Sequence, residues 1–194
     1  MAARPGRALL GITGAPGAGK SSLATALAAA VAGSVVVPMD GFHRSSAELA
    51  ANGWVAERGT PRTFDADGYV ALLRRLRAGD AVSAPAFDRS REEPVPHAIV
   101  VPAEATLVIT EGNYLLLGTP PWSAICGLLD EIWFLQVPET LRVERLIARH
   151  VEFGRAPDVA RVRATSGSDA DNARLVAATR PRADLIVDAA ELAP

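Results

Sequence analysis

Apolar residues in this chain fall into two alternating rhythms. Short unbroken runs at Ala8 to Thr13, Ser34 to Met39 (through Val35-Val36-Val37), Thr106 to Thr110 and Glu131 to Val137 read as strands buried on both faces. Between them the spacing changes to that of helices. Lys20 to Ala32 places Leu23, Leu27, Ala30 and Val31 on one side and stops at Gly33. Asp65 stands where an N-cap belongs, ahead of a predicted helix from Ala66 to Ala78. There Tyr69, Leu72, Leu73 and Leu76 form the apolar stripe, Arg74, Arg75 and Arg77 lie off it, and Gly79-Asp80 ends the helix. Pro138 opens a further helix, Glu139 to Phe153, with Val143, Leu146, Ile147 and His150 on one face and Arg142, Arg145 and Arg149 together on another. Shorter helices are expected at Ser45 to Asn52, Pro121 to Leu129 and Asp169 to Thr179, and a last strand at Asp184 to Val187. Ala81 to Phe87 and Val95 to Val101 bracket the polar stretch Asp88 to Pro94 and read as a hairpin outside the main sheet.

Strands alternating with helices argue an α/β fold in three α/β/α layers around a parallel five-stranded sheet. The 194 residues are expected to form one domain, 1–194. A net charge of −2 is no strongly basic balance, which argues against a nucleic-acid partner. Cys126 is the sole cysteine, so neither a disulfide framework nor a cysteine metal site can form, and a cytoplasmic location is expected. Arg4 and Arg7 precede an apolar run too short for a signal-peptide core, and Leu23 to Ala32 falls short of the roughly 20 residues of a membrane span. No membrane is expected.

The chemistry begins between the first strand and the first helix. Gly14-Ala15-Pro16-Gly17-Ala18-Gly19-Lys20-Ser21 fits the P-loop pattern, G-x-x-x-x-G-K-[ST], and Ser22 follows it into the helix. Glycines let successive backbone N–H groups turn toward one anion, and the helix adds the positive end of its dipole. Lys20 can reach the outer phosphates and the Ser21 hydroxyl can ligate Mg²⁺. Lys20 is also the only lysine: the other 19 of 20 basic residues are arginine. A compact ammonium is thus used at the one place where it differs in function from a planar guanidinium.

A P-loop alone specifies nucleotide binding. The guanine-reading signal Asn-Lys-x-Asp is absent, since no lysine remains to form it. Asp130-Glu131 precedes its strand, the wrong end for a motor-type ATPase. Small-molecule kinases are left as the leading class. Asp40 and Glu111 follow two of the predicted strands and would open on the P-loop edge, where open α/β sheets bind ligands. Phosphoryl transfer to an alcohol needs a base at the acceptor hydroxyl and a group that organises Mg²⁺.

Beyond these, the chain resembles the uridine kinase, phosphoribulokinase and bacterial pantothenate kinase family, most closely its nucleoside-kinase-like, fructose-transport-associated branch. The resemblance rests on Gly14 to Ser21, Met39-Asp40-Gly41-Phe42-His43, Gly59 to Asp65, Pro85-Ala86-Phe87-Asp88 with His97, Ile109 to Tyr114, the arginine helix from Arg142 to Arg149, and Thr179 to Asp184. It implies a P-loop NTPase fold with a helical lid over about 138–165 and an acceptor-side insert over about 41–102. ATP and Mg²⁺ are the implied cofactors. Asp40 matches the family's general base, Glu111 its Mg²⁺-organising carboxylate, and Arg145 and Arg149 the lid arginines, with Arg155 extending the lid. His97 matches a histidine that contacts the base in uridine kinases, although Ala98-Ile99 replaces the expected Ser-Arg. His43, Arg44, Arg58, Tyr114 and Asn172 are acceptor contacts by position.

The expectation is therefore an ATP-dependent kinase acting on a hydroxyl of a small metabolite, as a monomer or homodimer. The acceptor is left open between a nucleoside, a sugar and a pantothenate-like alcohol. A nucleotide-binding switch and an NTP hydrolase without a small-molecule acceptor are the alternatives.

Overall fold

In a computed structural model the described residues are 6–189, so Arg4 and the outer ends of the 1–194 span lie outside them. Seven strands follow in chain order: β1 (Ala8–Thr13), β2 (Ser34–Pro38), β3 (Val82–Asp88), β4 (Glu93–Val101), β5 (Leu107–Glu111), β6 (Glu131–Gln136) and β7 (Leu185–Asp188). Five of them form one parallel sheet in the order β2-β5-β1-β6-β7. The remaining two make the antiparallel β3–β4 hairpin, apart from that sheet as the polar interruption at Asp88 to Pro94 predicts.

The helices are α1 (Lys20–Ala30), α2 (Ser46–Ala51), α3 (Ala66–Ala78), α4 (Glu139–Glu152), α5 (Pro157–Ser166) and α6 (Ser168–Ala177). Ser45 caps α2 in a reciprocal capping box with Glu48, and Asp65 caps α3 by accepting from the Gly68 amide at 3.0 Å. Several boundaries differ from expectation by a residue or two. The first helix ends at Ala30, not Ala32, and Trp122–Gly127 is a 3-10 turn rather than an α-helix. Helix α5 falls in the stretch expected to form a helical lid, but no periodicity marked its bounds: it buries only Ala160 and Ala164, too little apolar surface to write a stripe into the sequence.

The sheet is covered on both faces, as its unbroken apolar strands require. The larger core joins Leu9, Val108 and Ile132 to the α3 stripe, Tyr69, Leu73 and Leu76, and to Tyr114, Leu115 and Leu116. The smaller joins Ile12, Ile109 and Leu135 to Ala24 of α1. Register sets the level of the strand ends: Glu111 is the partner of Ile12 on one side and Pro38 on the other. The carboxyl ends of β1, β2 and β5 therefore finish together. Among the described residues no helix is long and apolar enough to cross a membrane.

Candidate active site

At the end of β1 the loop turns back on itself through Gly14, Gly17 and Gly19, with φ of 153°, 86° and 98°. Gly19 sits at the N-cap of α1 with no side chain closing the first turn, so the helix start keeps its amides for an anion. A Cβ at Gly17 would lie 2.7 Å from the Arg142 carbonyl oxygen and 2.8 Å from Leu146, so α4 is seated directly against the loop. Arg142 is buried there, donating to the Pro16 carbonyl at 3.1 Å and pairing with Glu139. Lys20 donates to the carbonyls of Gly14 (2.9 Å) and Ala15 (3.2 Å) and to Asn113 Oδ1 (2.8 Å). Burial pushes its ammonium down to about 8, while Glu111 and Asp40 hold it from falling further.

Two carboxylates face this loop. Ser21 donates to Glu111 Oε1 at 2.8 Å. Burial and then the Asp40 charge push the Glu111 carboxyl up. Asp40 goes the other way: burial opposes its ionisation, but His43, Arg89, Lys20 and Arg149 outweigh that and hold it low. Arg89, from the tip of the β3–β4 hairpin, donates to Asp40 Oδ2 at 2.7 Å. Each carboxylate is followed by a glycine for a steric reason. A Cβ at Gly41 would meet the Pro85 carbonyl oxygen at 2.2 Å, and one at Gly112 would meet the Met39 side chain at 2.5 Å. The hairpin and the two strand ends can close on one another only where no side chain intervenes.

These groups open on a cleft of about 490 Å³. The His43 ring lies beside those of Phe64 and Phe87, with centroids 3.9 and 4.5 Å away, and its Nδ1 is 2.9 Å from the Asp40 carbonyl oxygen. Burial lowers its pKa first, against the raising effect of Asp40. On α4, Arg145 reaches the Ala18 carbonyl at 3.5 Å, and Arg149 lines the cleft beside it. His150 pairs with the buried Asp169 of α6 at 2.7 Å, tying α4 to α6. Burial opposes ionisation of Asp169, and the His150 hydrogen bond with the Arg163 charge overcomes it, so that carboxyl is held low.

The structure brings most of the expected residues together. Lys20, Ser21, Ser22, Asp40, Glu111, His43, Arg58, Arg145, Arg149, Arg155 and Asn172 all line the cleft, with Pro16, Gly17 and Gly19 of the loop. Four do not behave as expected. Arg44 is not among the cleft residues; it lines a separate pocket with Glu48 and Asp65, 3.5 Å from the Glu48 carboxylate. Arg142 does not share a free face with Arg145 and Arg149; it is turned inward as a brace for the loop. His97 is exposed on β4 and is not among the cleft residues. It sits at φ 56° where the β3–β4 register jumps between Ala84 and Ala86, and that bulge carries the residue away from its expected position. Tyr114 is buried beneath the cleft, its hydroxyl donating to the Gly59 carbonyl, which Asn172 also bonds at 2.8 Å. Sequence reasoning missed Arg89, Glu92, Arg163 and the His150–Asp169 pair. Asn113 lies within the Ile109 to Tyr114 run, but nothing in the sequence singles it out as a partner of Lys20. The polar hairpin tip was visible, but nothing in its spacing told which of its charges turn inward.

The oxygen donors Ser21 and Glu111 suit a hard cation such as Mg²⁺, which takes few protein ligands and completes its shell with water and phosphate. Among the described residues no three His, Cys, Asp or Glu side chains gather into a self-sufficient metal site.

No family model matches the chain. It is 40% identical over 131 residues to the ATP-dependent kinase-like protein notR' of Aspergillus versicolor, spanning 63% of this chain and 76% of that one. Over 160 residues it is also 40% identical to a protein of Schizosaccharomyces pombe named for uridine kinase, covering 76% of this chain and 68% of that protein. A crystal structure named as a fructose transport system kinase, from Silicibacter sp. TM1040, superposes with a TM-score of 0.88 at 38% identity, over 96% of this chain and 92% of the other.

Proposed function

Because the chain belongs to the P-loop kinase family that includes uridine kinase, we propose that it transfers the γ-phosphoryl group of ATP to a hydroxyl of a small metabolite. The observation that carries this is the meeting of Asp40 with Lys20, Ser21 and Glu111 at one sheet edge, beneath the arginines of α4. A switch that only binds nucleotide needs no ionised carboxylate on the open side of its phosphate loop.

In this reading the loop amides and Lys20 hold the phosphates, Lys20 leaving the carbonyls of Gly14 and Ala15 to do so. Ser21 and Glu111 would hold Mg²⁺, whose charge, when bound, offsets that of the phosphate oxygens. Asp40, kept ionised by its surrounding cations, takes the proton of the attacking hydroxyl. That oxygen bonds to the γ-phosphorus as the bridging oxygen departs with ADP. Arg145 and Arg149 cover the transferring group and exclude water.

The test is a coupled ADP-release screen with Mg·ATP over nucleosides, sugars and vitamin alcohols. An acceptor should stimulate release, and Asp40→Asn should lower kcat by about 10²–10⁴ while ATP still binds. ADP release that no acceptor ever stimulates would sink the proposal, and normal turnover by Asp40→Asn would remove the base.

A further inference from the structure

One side of the cleft carries three arginines from separate segments: Arg58 ahead of Gly59, Arg155 between α4 and α5, and Arg163 on α5. Their side chains are partly open to the cleft, at 14%, 31% and 24% exposure. Among the described residues two carboxylates answer them. Glu92 is 2.7 Å from Arg155 and 3.9 Å from Arg58. Asp169 is 3.5 Å from Arg163 but holds His150 closer, through the same oxygen. Arg163 Nε is buried with no hydrogen bond, and its Nη2 donates to the Arg58 carbonyl at 3.1 Å. Counting the whole cleft, Lys20 and six arginines face five carboxylates.

Glu92 is the unusual member of this group. Its side chain is 47% exposed, it stands at the tip of the β3–β4 hairpin, and its φ of 52° lies in the left-handed region that a glutamate enters only at a cost. A solvent-accessible carboxylate on a strained turn, set between two guanidinium groups, is the arrangement an exchangeable anion would leave.

We propose that Glu92 stands in for an anionic group of the acceptor. The acceptor carries a carboxylate or phosphate that enters among Arg58, Arg155 and Arg163 and displaces the Glu92 side chain, while its hydroxyl meets Asp40. This rests on the phosphoryl-transfer reading and narrows it from any small alcohol to a hydroxylated anion. Arginine suits either group, since its planar fork matches both geometries.

The experiment fills the phosphate loop with saturating Mg·ADP and titrates three matched probes: D-ribose, D-ribonate and D-ribose 5-phosphate. At least one charged probe should bind about tenfold or more tightly than ribose. Glu92→Gln should tighten that binding, and Arg58→Gln and Arg163→Gln should each weaken it. Preference for ribose 5-phosphate assigns a phosphorylated acceptor, and preference for ribonate a carboxylic acid. Equal binding of all three, no binding by any, or weakened anion binding in Glu92→Gln overturns the proposal. The same probes with Mg·ATP separate the two readings. Acceptor-dependent ADP release best supported by a neutral sugar leaves the kinase and removes the anion site. Charge-selective binding without acceptor-dependent release does the reverse.

Discussion

The two sides of the cleft are built on different plans. On the P-loop side the loop itself is built from local backbone: Lys20 bonds carbonyls only six and five residues behind it, from a position 8% exposed, while Asn113, Glu111 and Arg142 brace it from farther along the chain. On the opposite side the contacts are made by long side chains drawn from across the chain. Arg89 reaches Asp40 over 49 residues, Arg155 reaches Glu92 over 63, Arg163 reaches the Arg58 carbonyl over 105, and Asn172 reaches that of Gly59 over 113. A phosphate is the same in every nucleotide, so a rigid cradle of amides serves it with little to adjust. An acceptor differs from enzyme to enzyme. A pocket of converging, partly exposed side chains on loops can be respecified without disturbing the sheet beneath.

Substitution on either side should break one half and spare the other. The largest effect is expected from Lys20→Ala, which should lower turnover by at least about 10²–10³ and abolish measurable ATP affinity by calorimetry. Asp40→Asn, by contrast, should leave that affinity intact. Retained ATP binding in Lys20→Ala would remove the distinction. Next is Arg142→Ala, which takes away the donor to the Pro16 carbonyl and the packing of α4 on the loop. A loss of about 1–3 kcal/mol in urea melts is expected, with a raised KM for ATP and an unchanged KM for the acceptor.

A pH titration sharpens the comparison further. Lys20 titrates near 8 in the free protein, and bound phosphates would raise that value by favouring the ammonium. Nucleotide binding therefore takes up a proton above pH 8, and affinity should fall as pH rises from about 8 to 9.5, by up to about tenfold per unit. In Lys20→Arg, always charged, that slope should vanish; its persistence would assign the titration elsewhere. The smallest effect is expected from Tyr114→Phe, which loses the hydroxyl that bonds the Gly59 carbonyl and meets Asn113. About 0.5–1.5 kcal/mol of stability and a few-fold rise in acceptor KM should follow, with ATP affinity unmoved.

The difference between the two sides also explains what could be read in advance. The five parallel strands, the hairpin apart from them and the cap at Asp65 were legible, because each depends on residues near one another in sequence. Helix α5 was not, since its two buried alanines leave almost no periodic signal. Asp40 and Glu111 could be placed at one edge before any coordinates, because parallel pairing alone brings the strand ends level. Arg142 could not be told from Arg145 and Arg149, as helix spacing puts all three near one another and only the seat of α4 on Gly17 turns the first inward.

By itself, then, the sequence determined the sheet, the phosphate loop and the pair of carboxylates beside it, all of which follow from local backbone preference and strand periodicity. Only the tertiary structure decided that Arg89 holds Asp40, that Glu92 stands between Arg58 and Arg155, and that a bulge carries His97 out of the site. Those outcomes turn on how far one segment slides past another. A shift of a single residue in the hairpin register would redirect every charge at its tip, and no local pattern records that shift.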